Sequence, residues 1–225
     1  MSDPKSVPAP PPDEIAHQIF LTPPPGRDQW HPETGYDGER SDPNLPVLAQ
    51  GMREAIEAFT AANAPGEVMA AAASKLAEVT ALLAPYAAGE EDQLAGRRLD
   101  IPGRGQVLVP PITVDEWSEH HLRARVRFGR FWLGGNGAVH GGALCLLFDD
   151  ILGRLANVAG RSVARTAYLN VAYRSITPID EELVLVGSID REEGRKRFVT
   201  GQIWYGERLC AEADALFVAL LPGQQ

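Results

Sequence analysis

The sequence predicts an α+β domain in which an antiparallel sheet wraps one long, buried helix. Three observations predict it. A strand-like alternation begins near His121, a glycine-rich stretch runs directly into an apolar helix ending near Ala159, and four further strand-like runs follow, joined by short turns. Short turns make antiparallel neighbours. A helix whose apolar arc is this wide has to be covered, and the sheet built by those strands is what can cover it.

Composition sets the outer bounds. The 225 residues hold enough apolar side chains, 44% of the chain, for a sizeable core. The net charge of -9 leaves no basic surplus to neutralise phosphates, which argues against a nucleic-acid partner. The two cysteines, Cys145 and Cys210, lie far apart in apolar runs and are expected to be reduced core residues. Proline and charge fill the start of the chain, so no signal peptide is expected. No apolar run is expected to span a membrane, which needs about 20 residues. A cytoplasmic protein is the expectation.

Residues 1–43 hold ten of the 18 prolines and read as an extended, solvated arm. From 44 to 88 the pattern turns helical. Leu48, Met52, Ala55, Ile56 and Phe59 recur at steps of three and four, and Asn63-Ala64-Pro65-Gly66 interrupts them. A second stripe follows with Val68, Met69, Ala72, Leu76, Val79 and Leu83. The pair reads as a helical hairpin whose apolar face covers another element. Residues 89–120 read as a connector with one short strand at Gln106–Val109.

The first strand of the main domain is expected at His121, with Leu122, Ala124, Val126 and Phe128 facing inward and Arg123, Arg125 and Arg127 outward. The buried helix carries Leu144, Leu147, Phe148, Ile151, Leu152, Leu155 and Val158. Strands are then expected at Thr166–Arg174, Glu182–Asp190, Arg195–Tyr205 and Arg208–Leu220, with turns at Glu193-Gly194 and Tyr205-Gly206-Glu207.

The glycine stretch carries the chemistry. A helix that starts on Gly141-Gly142 leaves bare backbone N–H groups at the positive end of the helix dipole, a place for a developing oxyanion. Asp149 and Asp150 sit inside the apolar run, where burial would raise a carboxyl pKa toward general-base work. Asp149 is the favoured one of the two. His140, just before the helix, reads as a cap or structural partner more readily than as a base. Cys145, inside the helix, has no designated base and is not expected to be a nucleophile. His120 and His121 would point to opposite faces of a strand, and no other spacing suits a metal. The stretch lacks the third glycine of a dinucleotide fingerprint, and the chain has neither a GK[ST] phosphate loop nor a GxSxG elbow.

Gly137-x-x-His140-Gly141-Gly142, Asp149 nine residues after the His, and the strand with Thr166 four residues before Asn170 together resemble the hotdog-fold acyl-CoA thioesterases. Among them the resemblance is to the phenylacetate-degradation (PaaI-like) branch of the 4-hydroxybenzoyl-CoA thioesterase superfamily. It covers about residues 121–221, the expected thioesterase domain. It implies hydrolysis of an acyl-CoA, with Gly141 N–H polarising the carbonyl and Asp149 activating water or attacking directly. Thr166 would orient the water or the Asp. Gly142, Asn136, Arg174, Arg195 and Lys196 are candidate substrate contacts, the basic residues toward the phosphates of coenzyme A. It also implies a homodimer or dimer of dimers with shared sites, Gly141 from one chain and Asp149 from the other, and no metal or redox cofactor. Many members carry Asn or Gln about six residues before the His. Gly134 stands there in this chain, and Asn136 falls two residues late. Two alternatives remain at this point: an enoyl-thioester hydratase or dehydratase on the same fold, and a non-catalytic acyl-CoA-binding or scaffold protein.

Overall fold

A computed structural model of the chain describes residues 42–89, 92–98, 101–158 and 160–221. The Pro-rich arm expected at 1–43 lies almost wholly outside the described residues. Two helices come first, α1 (Asn44–Ala61) and α2 (Gly66–Leu83), followed by strands β1 (Ile112–Trp117) and β2 (His121–Arg127). A small hairpin of β3 (Leu133–Gly135) and β4 (Ala138–Val139) leads into helix α3 (Gly141–Ala156). Then come β5 (Ala164–Tyr173), β6 (Glu182–Glu193), β7 (Lys196–Tyr205) and β8 (Arg208–Ala219).

The main sheet has six strands in the order β1-β2-β6-β7-β8-β5, with every neighbouring pair antiparallel. The inner face of β6 and β7 alternates with strict period two, presenting Leu183, Leu185 and Ile189 beside Val199 and Ile203. Against it lies α3, which buries Ala143, Leu144, Leu147, Phe148, Ile151, Leu152, Gly153, Leu155 and Ala156. This is the hotdog arrangement, a sheet curled round one helix.

Two glycines decide how closely helix and sheet approach. Gly187 of β6 and Gly201 of β7 stand directly opposite each other. A side chain at Gly201 would put its first carbon 3.0 Å from Phe148 and 3.1 Å from Leu152; one at Gly187 would come within 3.0 Å of Leu152. The paired glycines thus open a shallow groove in the sheet, and Phe148 and Leu152 fill it. Each such side chain, fully buried, stabilises the fold by about 1.5–3 kcal/mol. At the far end of α3 the buried Arg197 donates from Nη1 to the Ala156 carbonyl at 2.7 Å, satisfying one of the helix's last acceptors.

Three expectations need correction. No strand forms at Gln106–Val109; the strand of that region is β1, at Ile112–Trp117, and it pairs with β2, so the sheet begins inside the expected connector. Its burial pattern is irregular because the pairing shifts register between Val114 and Glu116, which masks the period-two signal. The apolar stripe of α2 covers nothing among the described residues: the helix has no buried residue, and Val68, Met69, Leu76 and Leu83 are exposed. Finally, the helical run Gly66–Tyr86, at 21 residues and mean hydropathy 1.3, is long and apolar enough by composition to cross a membrane. At 100° per residue, its charges Glu67, Lys75 and Glu78 fall within an arc of about 80° that flanks the stripe, so the charge is gathered on one side of the helix.

The other helix is anchored. Arg53 of α1 donates to the carbonyls of Pro102 and Gln106, both at 2.7 Å. One turn later, the Glu57 carboxylate accepts from the N–H groups of Arg130 and Phe131, the latter at 2.8 Å. Arg104, in the loop held by Arg53, pairs with Asp150 of α3.

The Gly187/Gly201 groove yields a direct test. Gly201→Ala is expected to cost about 1–3 kcal/mol by overpacking Phe148, read as a lower denaturant midpoint with unchanged slope. A midpoint equal to that of the wild type would contradict the close seating of α3.

Candidate active site

The site is built where α3 passes the edge strand β5. Gly141, Cys145 and Asp149 are spaced four residues apart and therefore share one face of α3. That face looks toward β5. Thr166 Oγ1 donates to Asp149 Oδ1 at 2.8 Å, and Tyr173 Oη donates to the Gly141 carbonyl at 3.0 Å while lying 3.2 Å from Cys145 Sγ.

Both β5 residues reach the helix because of a bulge. Seven residues separate Thr166 from Tyr173, which in a regular strand would send them to opposite faces. The β5–β8 pairing shifts register between Thr166 and Tyr168, the extra residue restores the parity, and both then point to α3. The same shift sends Asn170, the other half of the sequence motif, to the outer face, where its Nδ2 donates to Asp214 at 3.1 Å.

The start of α3 is held in detail. His140 is the N-cap, and its Nδ1 accepts from the Gly142 N–H at 3.0 Å. An accepting Nδ1 places the ring proton on Nε2. Gly142, a candidate substrate contact, therefore has its N–H already committed. Among the described residues, the Gly141 N–H meets no acceptor, so it is the free donor at the positive end of the helix.

The two aspartates exchange the environments expected of them. Asp149 is exposed in the single chain, and Thr166 holds only one of its oxygens. The carboxylate that burial does enclose is Asp150, whose side chain is 12% exposed and paired with Arg104. Arg154, one turn on, lies over the Trp117 ring at 5.2 Å, and burial pulls its guanidinium down to about 10. Asp150 thus serves a charge cluster on the side of α3 away from β5. Neighbouring positions lie 100° apart around a helix, which is why two adjacent acids meet such different surroundings.

Asn136 sits at φ 50° and Gly137 at φ 74°, the central residues of the β3–β4 hairpin. Two successive positive φ values are what a type I′ turn requires, and Asn-Gly suits them best. Asn136 is exposed at that turn, and among the described residues no hydrogen bond brings it to the Gly141–Asp149 face. The family's Asn or Gln is impossible at Gly134 without rearrangement, since a side chain there would place its first carbon 2.9 Å from His140 Cα.

The basic candidates are separated. Arg174 lies beyond the Tyr173 end of β5 and pairs with Glu212. Lys196 is opposite Val218, and Arg195 donates to the Ala219 carbonyl at 2.9 Å. Tyr173 is opposite Ala211, seven residues along β8 from Val218, or about 23 Å at 3.3 Å per residue. Arg174 and the Arg195–Lys196 pair thus lie at opposite ends of the sheet.

Tyr173 is the residue of this face that sequence reasoning missed, and Cys145 was weighed only as a core residue or nucleophile. Cys145 was legible, because its spacing from Gly141 and Asp149 puts all three on one face. Tyr173 was not, because the bulge that aims it leaves no mark in the pattern. Cys145 is half-buried rather than core, whereas Cys210 is buried as expected. Among the described residues, no group of three or more His, Cys, Asp or Glu side chains is placed to hold a metal ion.

Comparisons with known proteins agree on one family likeness. Residues 136–212 match the thioesterase superfamily. The acyl-coenzyme A thioesterase THEM4 of Mus musculus is 40% identical over 88 residues, which is 38% of this chain and 37% of that protein. THEM4 of Bos taurus is 31% identical over 96 residues, 42% of this chain and 39% of that protein. The chain thus spans less than half the length of these relatives. A crystal structure of a thioesterase superfamily protein superposes with a TM-score of 0.68 at 26% identity, covering 88% of this chain and 94% of that one. At 88% coverage the superposition extends beyond the hotdog domain into the amino-terminal half of the chain.

The contacts of Tyr173 make its titration a test of the site. The neighbouring Cys145 thiol and partial burial push its hydroxyl up to about 12 from the usual 10. The neutral phenol is the form the fold favours, so its contribution is complete below pH 10 and is lost only as pH rises through about 12. Tyr173 is therefore expected to stay about nine-tenths un-ionised at pH 11 and to titrate at lower pH in Cys145→Ala.

Proposed function

Starting from a thioesterase-superfamily domain at residues 136–212, we propose that the protein hydrolyses an acyl-coenzyme A thioester to a free acid and coenzyme A. The observation that carries the reading is the pairing on one helix face of a free backbone donor, Gly141 N–H, with a carboxylate, Asp149, held through one oxygen by Thr166. The Gly141 N–H polarises the thioester carbonyl. Asp149 takes a proton from water, whose oxygen bonds to the carbonyl carbon, and the oxyanion that forms is stabilised at the helix N-terminus. Collapse of the tetrahedral species breaks the C–S bond, and the departing thiolate takes up the proton. Attack by Asp149 itself through a mixed anhydride is the variant of this scheme; heavy oxygen found in the Asp149 carboxylate after a single turnover in labelled water would establish it, since water opening the anhydride at the aspartyl carbonyl leaves its oxygen on the protein whereas the general-base route labels only the product acid.

Gly141 and Asp149 of the same chain are eight residues apart on α3, or about 12 Å along its axis. One carbonyl group cannot meet both. This spacing supports a site shared between two copies, Gly141 from one and Asp149 from the other, and hence a homodimer or dimer of dimers. His140 is given a capping role. Arg174, Arg195 and Lys196 are proposed as phosphate contacts, with those at one end of the sheet serving one site and those at the other end serving its partner. Neither a metal nor a redox cofactor enters the scheme. A reducing, cytoplasmic setting fits two unpaired thiols.

Thiol release from a panel of acyl-CoAs tests the reading. Asp149→Asn and Asp149→Ala are expected to lower kcat by about 10²–10⁴-fold, and Thr166→Val by about tenfold, with near-unchanged KM. Full activity in both Asp149 variants would falsify the mechanism. Tight binding of acyl-CoA without thiol release favours the scaffold alternative, and addition of water to an enoyl-CoA favours the hydratase.

A further inference from the structure

We infer that Tyr173 is a positioning residue for the Gly141 amide, acting by pinning the glycine peptide that follows it. The inference rests on the thioesterase reading for its catalytic consequence, but the pinning itself is a matter of geometry.

The Gly141–Gly142 peptide is gripped at both ends by side chains. Its carbonyl accepts from Tyr173 Oη at 3.0 Å, and its N–H donates to His140 Nδ1 at 3.0 Å. The preceding peptide, which carries the free Gly141 N–H, is held only through its carbonyl: His140 O accepts from the Ala143 N–H at 2.9 Å. The direction of the free N–H is thus set by the torsions at Gly141, and those are the torsions the pinned peptide fixes. Two adjacent glycines would otherwise leave this turn with the widest conformational choice of any residue pair.

Tyr173 also packs against the turn. A side chain at Gly141 would place its first carbon 3.0 Å from Tyr173 Oη, 3.1 Å from Cζ and 3.3 Å from Cε1. The ring therefore occupies the space next to the Gly141 Cα and accounts for glycine at that position. Cys145 Sγ, 3.2 Å from Oη, is the third contact. With the thiol donating to Oη, the phenolic O–H stays directed at the Gly141 carbonyl. The phenol remains a donor across the working pH range, since its titration is displaced upward. The clamp comes from the edge strand, and its aim depends on the bulge between Thr166 and Tyr168.

The test uses the full chain. Tyr173→Phe keeps the ring and removes the donor; it is expected to lower kcat about five- to tenfold, as loss of one aligned hydrogen bond does, with KM within about twofold and the thermal midpoint nearly unchanged. Gly141→Ala retains the backbone N–H but collides with the ring, so it is expected to lower kcat at least about tenfold in the wild-type background and much less with Tyr173→Leu. This non-additivity is a direct measure of the coupling. The backbone amide resonances of Gly141 and Gly142 are expected to shift in Tyr173→Phe whether or not any substrate is turned over. An unchanged kcat in Tyr173→Phe, equal costs of Gly141→Ala in both backgrounds, or unshifted amide resonances would each overturn the proposal. A wild-type chain that releases thiol from no acyl-CoA overturns the thioesterase reading instead, and the amide resonances then decide the clamp alone.

Discussion

The close seating of α3 in the sheet is the constraint from which the rest of the structure follows. Gly187 and Gly201, facing each other across β6 and β7, let Phe148 and Leu152 sink into the sheet. Once that contact is made, the helix has no rotational freedom. The face carrying Leu144, Leu147, Ile151 and Leu155 is buried, and the stripe Gly141–Cys145–Asp149 is turned to β5. Protein interiors at near-crystalline packing density tolerate few alternatives to such a fit. The placement of the Asp149 carboxylate and the Gly141 N–H thus follows from core packing, and the side chains that bond to this face sit on β5.

The two flanks of the helix have diverged. On the β5 side the polar groups are exposed and sparsely bonded, with one oxygen of Asp149 and the N–H of Gly141 left available. On the opposite side, Asp150, Arg104, Arg154 and Trp117 form an enclosed cluster of charges and an aromatic ring. Enclosed ion pairs are costly to create and costly to break, and their use is more often to fix an arrangement than to add net stability. Here the arrangement fixed is that of the Pro102–Gly105 turn against α3, with Arg104 itself held at φ 59°. Among the described residues, the β5 flank is the one with exposed polar groups on the Gly141–Asp149 stripe.

How much of this was legible in the sequence depends on periodicity. The buried helix and the strands β2, β6, β7 and β8 follow their expected spacing over most of their length, whereas Thr166 was singled out by the family resemblance and lies within hydrogen-bond distance of Asp149. Irregularity hid the remainder. The register shift in β1 hid a whole strand, and that in β5 hid Tyr173. The exposure of Asp149 and enclosure of Asp150 depended on which of two adjacent positions faced the Arg104 loop, a contact across 46 residues that no local pattern encodes. Asn136 was visible as an Asn-Gly pair, a hairpin signal as strong as any in the chain, and its place in a turn follows from that.

The anchors of α1 have a consequence for the order in which the molecule assembles. Arg53 reaches a partner 49 residues further along the chain and Glu57 one that is 74 residues away. Neither contact exists until the 102–106 turn and the 130–132 turn have taken shape, and the second of these lies between β2 and the hairpin that starts α3. Closing such loops has an entropic cost that is recovered only after their destinations are in place. The docking of α1 thus depends on turns supplied by residues far along the chain, and it is expected to follow their formation.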